Sequence, residues 1–454
     1  MYWTTLVRRS SSLFLVPLLA AGLLLGGCDS NGPEVGDDPD NGDDPDDDIE
    51  VPASYTFDSR FVDGESAVAY PGQVTRNLLI ADLKTLTDGR ADGEVTLDRL
   101  MDRYEYTDQA LDILLSTDPA PQQAQYPDIA TDKSLKGKVT ATYSDQALIG
   151  VGALAGFDDG ATADDVITTY LDAIAASYAE GQDAPEAYTT AENVSMSQIV
   201  NKLLLGAVAY SQGTAKYLDD VLNRDDSPNT QDGDNPYSTL GHAWDEAFGY
   251  YGAAREFASG DYYDENGMIA NAADRNGDGA IDLSSEFVYT WADYSVDRGT
   301  VNGVGFQEDA FEAFREGRTA ILNQESIDDI RDHADDARAA WEKVVAANVV
   351  HYLNSMESDL SGLADDETIT EEALGPDATA ELNEHWGEAK PFAWALQYNA
   401  DKEISDSQLE TLHGELGGAP PYGETKADAV AAINAAKDVL QTAYDFDDSN
   451  MADW

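Results

Sequence analysis

Apolar residues recur at helical spacing through most of the chain. Val166, Ile167, Tyr170, Leu171, Ile174 and Tyr178 share one face at a period of 3.6 residues, behind a Thr162-x-x-Asp165 start signal. Ile199, Leu203, Tyr210, Tyr217, Leu218 and Val221 place one long helix over 195–222. The same pattern predicts helices over 240–258, 306–322, 325–357, 378–398 and 425–444, the last capped by Thr425-x-x-Asp428, and one or two more over 97–115. Strand signals are few: 55–57, 138–143 and 287–291 are the candidates, and they do not add up to a sheet. The expected fold is an all-α helical bundle with long connections and few short strands.

The first 27 residues stand apart from this pattern. Arg8 and Arg9 precede an apolar run from Leu13 to Leu25, too short for a comfortable membrane span, and the run ends in Leu25-Gly26-Gly27-Cys28. This reads as an export signal closed by a lipobox. Residues 1–27 are expected to be removed and Cys28 to carry the lipid. The mature chain is then tied to a membrane through its N-terminus, outside the cytoplasm, with the outer membrane favoured (periplasmic or surface-exposed). Residues 29–50 contain 11 acidic residues and no basic one, so they cannot bury a core, and 28–52 is expected to be a disordered acidic tether. The helical domain is expected over 53–450.

Charge narrows the function. The chain holds 26 Lys+Arg against 88 Asp+Glu, a net charge of −62. Such a surface repels phosphate backbones and excludes nucleic acid as a partner. It also repels itself at low ionic strength. At 1 M salt the Debye length is only ~3 Å, so the composition fits a high-salt habitat. One Cys allows neither an internal disulfide nor a cysteine-based metal cluster.

Two patterns carry candidate chemistry. Residues 274–286, DRNGDGAIDLSSE, follow an EF-hand-like calcium loop: Asp274, Asn276 and Asp278 at positions 1, 3 and 5, Gly279 at the turn, the Ala280 carbonyl at 7, Ile281 at 8 and Asp282 at 9. Calcium is a hard cation needing 6–8 oxygen ligands, which this spacing supplies from one short segment. Position 12 is Ser285, and Glu286 follows one residue late as the expected last ligand. The ion would be structural, holding the 260–300 connection on the bundle. The second pattern is a repeated histidine–carboxylate pair. His242 lies one helical turn from Asp245 and Glu246, and His385 one turn from Glu388. If the two segments face each other they offer a transition metal, such as iron, a bundle-interior site; packed ion pairs are the alternative. His333, His351 and His413 have weaker claims.

The run His242-Ala-Trp-Asp-Glu-Ala-Phe-Gly-Tyr250, the later His385-Trp-Gly-Glu-Ala, and the early Tyr55-Thr-Phe with Arg76-x-x-Leu79 resemble a family of bacterial lipoproteins of unknown function, domain-of-unknown-function family 4856. More distantly the chain is similar to imelysin-like proteins, helical bundles of two related halves with a Gly-x-His-x-x-Glu motif, associated with iron uptake and once classed as metallopeptidases. Here Gly241 directly precedes His242, and Asp245 stands at the i+3 position. The resemblance implies a lipid-anchored, imelysin-like bundle of two related halves. No catalytic residue stands out: there is no phosphate loop, nucleophile elbow or His-Glu-x-x-His helix. The expected function is extracytoplasmic metal binding without catalysis. The alternatives are a metallohydrolase or peptidase using the His–carboxylate cluster, and a structural or partner-binding envelope lipoprotein.

Overall fold

A computed structural model describes residues 49–150, 154–220, 222–223, 228–264 and 267–454. The export segment, Cys28 and most of the acidic tether lie outside these residues. The described body is all-α. Its one sheet is a two-residue ladder pairing Tyr263–Asp264 with Gly267–Met268.

Helix α9 (Ile327–Asp359) is the spine. Trp341, Val344, Val345, Val349, Val350 and Leu353 leave it no exposed apolar side along its middle turns. Against it pack α8 (Phe306–Leu322), α11 (Pro376–Ala395), α7 (Thr290–Gly299) and α13 (Lys426–Tyr444). A second long rod begins as α5 (Met196–Leu204) and continues with wider π-type winding through Leu205–Tyr210 and Gln212–Asp220. Its first part receives α11 and its last part receives α6 (Thr239–Tyr251). The contact with α11 is close because both sides are small: a Cβ added at Gly206 would meet the Ala395 Cβ at 2.7 Å. Helix α1 (Pro71–Thr87) lies against both α5 and α6. Further helices α2 (Leu97–Tyr104), α4 (Ala163–Ala179) and α12 (Asp406–Leu416), with the short turns α3 (Lys136–Val139), α10 (Glu371–Leu374) and α14 (Asp448–Asp453), complete the body.

Caps follow the sequence signals. Thr162 and Asp165 bond reciprocally at the start of α4, and Thr425 accepts from the Asp428 amide at the start of α13. Five sequence expectations need correction. Residues 55–57 do not form a strand, and the helix expected over 240–258 ends at Tyr251, where Gly252 turns left-handed (φ 84°). Residues 138–143 are a helical turn and loop, because the Val139 amide closes on the Leu135 carbonyl. Residues 287–291 are not a strand: Thr290 opens α7, and only Phe287 makes an isolated bridge, to Ala272. The helix expected over 97–115 stops at Tyr104, and the chain beyond it pairs with 124–126 instead. At the N-terminal side, residues 49–52 are held on α8 rather than free. Ile49 exchanges two hydrogen bonds with the Asn323 amide side chain (2.9 and 3.1 Å), and Arg315 donates to the Pro52 carbonyl at 2.6 Å. At the other end the body runs past residue 450, since Trp454 is buried and its indole donates to the Arg298 carbonyl at 2.9 Å.

Candidate functional sites

The 274–286 segment forms a tight, self-organised loop. Left-handed backbone at Gly277 (φ 73°) and Gly279 (φ 87°) provides the turns. Asp274 accepts from the Gly277 and Gly279 amides at 2.8 and 2.9 Å, Asn276 from Asp278 at 2.8 Å, and Asp278 from Ala280 at 3.0 Å. Ile281 is fully buried, and its backbone pairs with 120–122 through two hydrogen bonds of 3.0 and 2.8 Å. Two neighbours that the sequence pattern did not single out complete the surroundings. Gln122 donates to Asp278 at 2.8 Å and Gln123 to Asp282 at 2.9 Å. Their only signal is adjacency in space, which a motif at 274–286 does not carry.

Glu286 is buried, and its two carboxylate oxygens accept from three backbone amides: Arg275 at 2.9 Å, Asn276 at 3.0 Å and Asp282 at 2.9 Å. It therefore braces the loop from beneath. The oxygens that remain towards solvent belong to Asp274, Asn276, Asp278 and Asp282, with the Ala280 carbonyl between them in sequence. Asp274 and Asp278 each accept two hydrogen bonds and Asp282 three, from Gln123, from the Ser284 amide at 2.9 Å and from the Ser285 hydroxyl at 2.8 Å. Each carboxylate has about four lone-pair sites, so capacity for a hard cation remains. The donor set is all oxygen, as calcium requires, with water needed to fill the shell.

The two histidine segments do not come together. Helices α6 and α11 dock on successive stretches of the same rod, and their side chains are taken up by different partners. Asp245 is fully buried. It accepts from Arg318 Nε at 2.9 Å, from the Tyr55 hydroxyl at 2.8 Å and from the Ala69 amide at 3.1 Å. Burial pushes its carboxyl up, while Arg318 and Tyr55 pull it back. Glu246 accepts from Gln73 at 2.7 Å and Tyr217 at 3.1 Å. The His242 ring stacks on Tyr237 with centroids 4.5 Å apart. On α11, His385 Nδ1 meets Asp359 at 2.8 Å. Burial opposes the charge on His385, but Asp359, with Glu388 and Glu381 behind it, raises the imidazole above its ordinary value. Glu388 is 3.1 Å from the buried Lys202 ammonium, which also donates to Tyr294 at 2.7 Å. Among the described residues no three His, Cys, Asp or Glu side chains are grouped as a metal cage. His333 faces Glu316 at 3.6 Å; burial lowers His351 to about 4 and holds His413 well below the usual imidazole range.

The structure does unite the early and middle sequence motifs. Tyr55 stacks on Phe248 of α6 with centroids 3.6 Å apart and planes 5° from parallel, while its hydroxyl reaches Asp245. Arg318 of α8, which no motif marked, lies over Phe57 at 5.4 Å and donates to the Ala67 carbonyl at 3.0 Å. The motif residues thus form a packed hub that clamps the 55–69 segment to α6 and α8.

The described body, helical apart from one two-residue ladder, is that of an all-α protein. The family model described as a domain of unknown function (DUF4856) matches residues 52–376, and the chain belongs to that family. The match takes in Tyr55, Arg76, the His242–Tyr250 run and the 274–286 loop, and ends where α11 begins; the His385 segment lies beyond it. No curated protein and no solved structure matches the chain. No helix among the described residues is long and apolar enough to cross a membrane.

Proposed function

We propose that this chain is a lipid-anchored, extracytoplasmic, calcium-binding protein of the cell envelope, in which a structural ion at 274–286 fixes the long connection between α6 and α7 and no reaction is catalysed. One observation carries the reading: Asp274, Asn276, Asp278 and Asp282 stand on one short loop whose backbone is already set by Gly277, Gly279 and the Glu286 brace. A preset loop loses little freedom on taking an ion. The address rests on Arg8-Arg9, the apolar run and Leu25-Gly26-Gly27-Cys28, which lie outside the described residues. An outer-membrane location and a salt-adapted acidic surface belong to the same reading. An imelysin-like relation would make α6 and α11 the equivalent helices of two halves, both seated on the 196–220 rod.

The separate partners of His242, Asp245, Glu246, His385 and Glu388 favour packing over a shared iron site. A second reading follows from that, a structural or partner-binding envelope lipoprotein whose histidines are packing residues. The test is the metal content of the full chain in detergent and high salt, after dialysis against trace calcium, iron and zinc. The proposal expects about one calcium per chain in wild type and His242→Ala, and loss in Asp278→Ala. Equal calcium in all three overturns it. Iron or zinc retained by wild type and lost in His242→Ala would replace it with a transition-metal function.

A further inference from the structure

Cations are scarce in this chain, yet four of them gather at one place. The chain has eleven lysines, and three of these, Lys133, Lys138 and Lys216, meet Arg76 of α1 where the 133–138 turn lies against α1 and the 205–220 rod. Arg76 joins α1 to the turn, its Nε donating to the Ser134 carbonyl at 3.3 Å. Gln212 joins the rod to the turn, its Nε2 donating to the Lys138 carbonyl at 3.3 Å. A Cβ added at Gly72 would lie 3.1 Å from Lys133 Cε and 3.5 Å from Arg76 Nη1, so both cationic side chains use the space that this glycine leaves. The Lys138 ammonium sits 5.8 Å from the centre of the Tyr217 ring. Lys133, Lys138 and Lys216 are half-buried. Their ammonium groups make no hydrogen bond or ion pair among the described residues and stay open to solvent.

This charge is not balanced from within. Arg76 is 7% exposed and bonds two backbone carbonyls, Ser134 and Gly72 (3.4 Å), without pairing to a carboxylate. The other buried guanidinium groups each face one: Arg103 meets Asp82 at 3.5 Å, Arg298 meets Asp297 at 3.6 Å, Arg318 meets Asp245 at 2.9 Å and Arg338 meets Asp219 at 2.9 Å. A guanidinium cannot shed its proton, so one buried without a paired counter-charge favours an anion beside it. Glu246 is the carboxylate that acts on this group, and its Oε1 already accepts from Gln73 and Tyr217. Four cations against that carboxylate leave a local excess of positive charge. Burial and then Arg76 push the Lys138 ammonium down, to about 8; Glu246 pulls it back, and Lys216 and Lys133 push it down further.

We propose that Arg76, Lys133, Lys138 and Lys216 form a binding site for a phosphate-type dianion. The guanidinium offers planar, directional donors and the three ammonium groups act as point charges, the combination that suits a tetrahedral oxyanion. Two negative charges answer the local excess better than one, so a monovalent carboxylate should bind less tightly. The acidic surface does not forbid this. In 0.5 M salt the Debye length is roughly 4 Å, so distant carboxylates are screened while cations in contact are not. A long polyanion would still meet the acidic surface around the site. Free phosphate and a phosphate monoester offer the same group, and the experiment separates the two sources. This inference is independent of the calcium loop.

The experiment is calorimetric titration of the full chain, in detergent and 0.5 M NaCl without added calcium, with inorganic phosphate, glycerol 1-phosphate, sulfate and acetate. Saturable binding of one phosphate per chain is expected, with acetate at least tenfold weaker. Glycerol 1-phosphate binding as tightly as phosphate supports the site with a monoester as its source; an ester tenfold weaker supports it with the free ion. Lys138→Gln and Lys216→Gln should each weaken phosphate fivefold or more, and Arg76→Gln tenfold or more. Lys402→Gln, at a lysine paired with Asp406, should leave it within twofold. Sulfate does not titrate near neutral pH, so its affinity should fall from pH 7 to pH 9 as Lys138 loses its proton, and Lys138→Gln should flatten that profile. Unfolding temperatures of the variants separate loss of the site from loss of the fold. Lys138→Gln and Lys216→Gln alter half-buried side chains, so they keep the proposal open to refutation if Arg76→Gln folds poorly. Non-saturating phosphate binding overturns the proposal, as does equal affinity for acetate or binding unchanged in Lys138→Gln and Lys216→Gln.

Discussion

Replacing Asp245 with alanine should be among the most damaging single changes in the body. The carboxylate is fully buried and faces Arg318, itself only 1% exposed, at 2.9 Å. Removing it leaves a buried guanidinium without its counter-charge, and strands the Tyr55 hydroxyl and the Ala69 amide. Breaking a buried pair by deleting one partner costs about 3–5 kcal/mol. At ~2.1 cal/mol/K per residue over roughly 400 residues, the entropy of unfolding is about 0.85 kcal/mol/K, so the loss corresponds to a fall in Tm of about 4–6 °C. The assay is thermal unfolding by circular dichroism in 2 M NaCl for wild type, Asp245→Ala, Arg318→Met and the double variant. Because the double variant leaves no orphaned charge, it should recover about 2 kcal/mol or more relative to the sum of the single losses. A fall below 1 °C for Asp245→Ala, or strict additivity in the double variant, would refute the hub as the clamp on residues 55–69.

Other outcomes follow from the same geometry. His385 titrates above its ordinary value in the fold because Asp359 outweighs burial, so its contribution is fully present below about pH 6.5 and fades as pH rises through the folded value. The stability gap between wild type and His385→Asn, measured by urea titration, should therefore shrink from pH 6 to pH 9; a constant gap contradicts the pairing. His242→Ala should cost little, about 1 kcal/mol or less, since its half-buried ring stacks on Tyr237 and its Nδ1 makes no hydrogen bond among the described residues. With a net charge of −62, raising NaCl from 0.1 to 2 M should raise Tm by several degrees. A flat or falling salt profile would remove the case for adaptation to high salt.

Much of the fold was legible because amphipathic helices advertise themselves. The α4, α8, α9 and α13 patterns each carry an apolar face and a polar start, and the structure places each within about two residues of its expected bounds. Helix α1 gave no such signal. It buries Gln73, Thr75, Arg76, Asn77 and Asp82 along with Leu78, Leu79 and Leu83, so no polar face exists to set the period. Beta-branched and aromatic residues at 287–291 imitated a strand, but burial of Trp291 and the helical hydrogen bonds of α7 decided the matter.

The sites divide in the same way. The 274–286 loop is local, so its turns and acceptors could be read from spacing. The partners of the histidine segments are not local. Arg318 lies 73 residues from Asp245 along the chain, and Asp359 lies 26 from His385. In a chain with 88 acidic residues, a carboxylate near a histidine on a helix carries little information about what it faces.

The central claim is that the 274–286 loop holds calcium, and amide hydrogen exchange tests it at the residues concerned. The full chain is compared in calcium and in chelator, at constant ionic strength. Calcium should slow exchange over 274–286 and in the 120–123 segment that pairs with it, while the α9 core remains unchanged, and Asp278→Ala should abolish the difference. Identical exchange in the loop with and without calcium, or protection that persists in Asp278→Ala, would contradict the account.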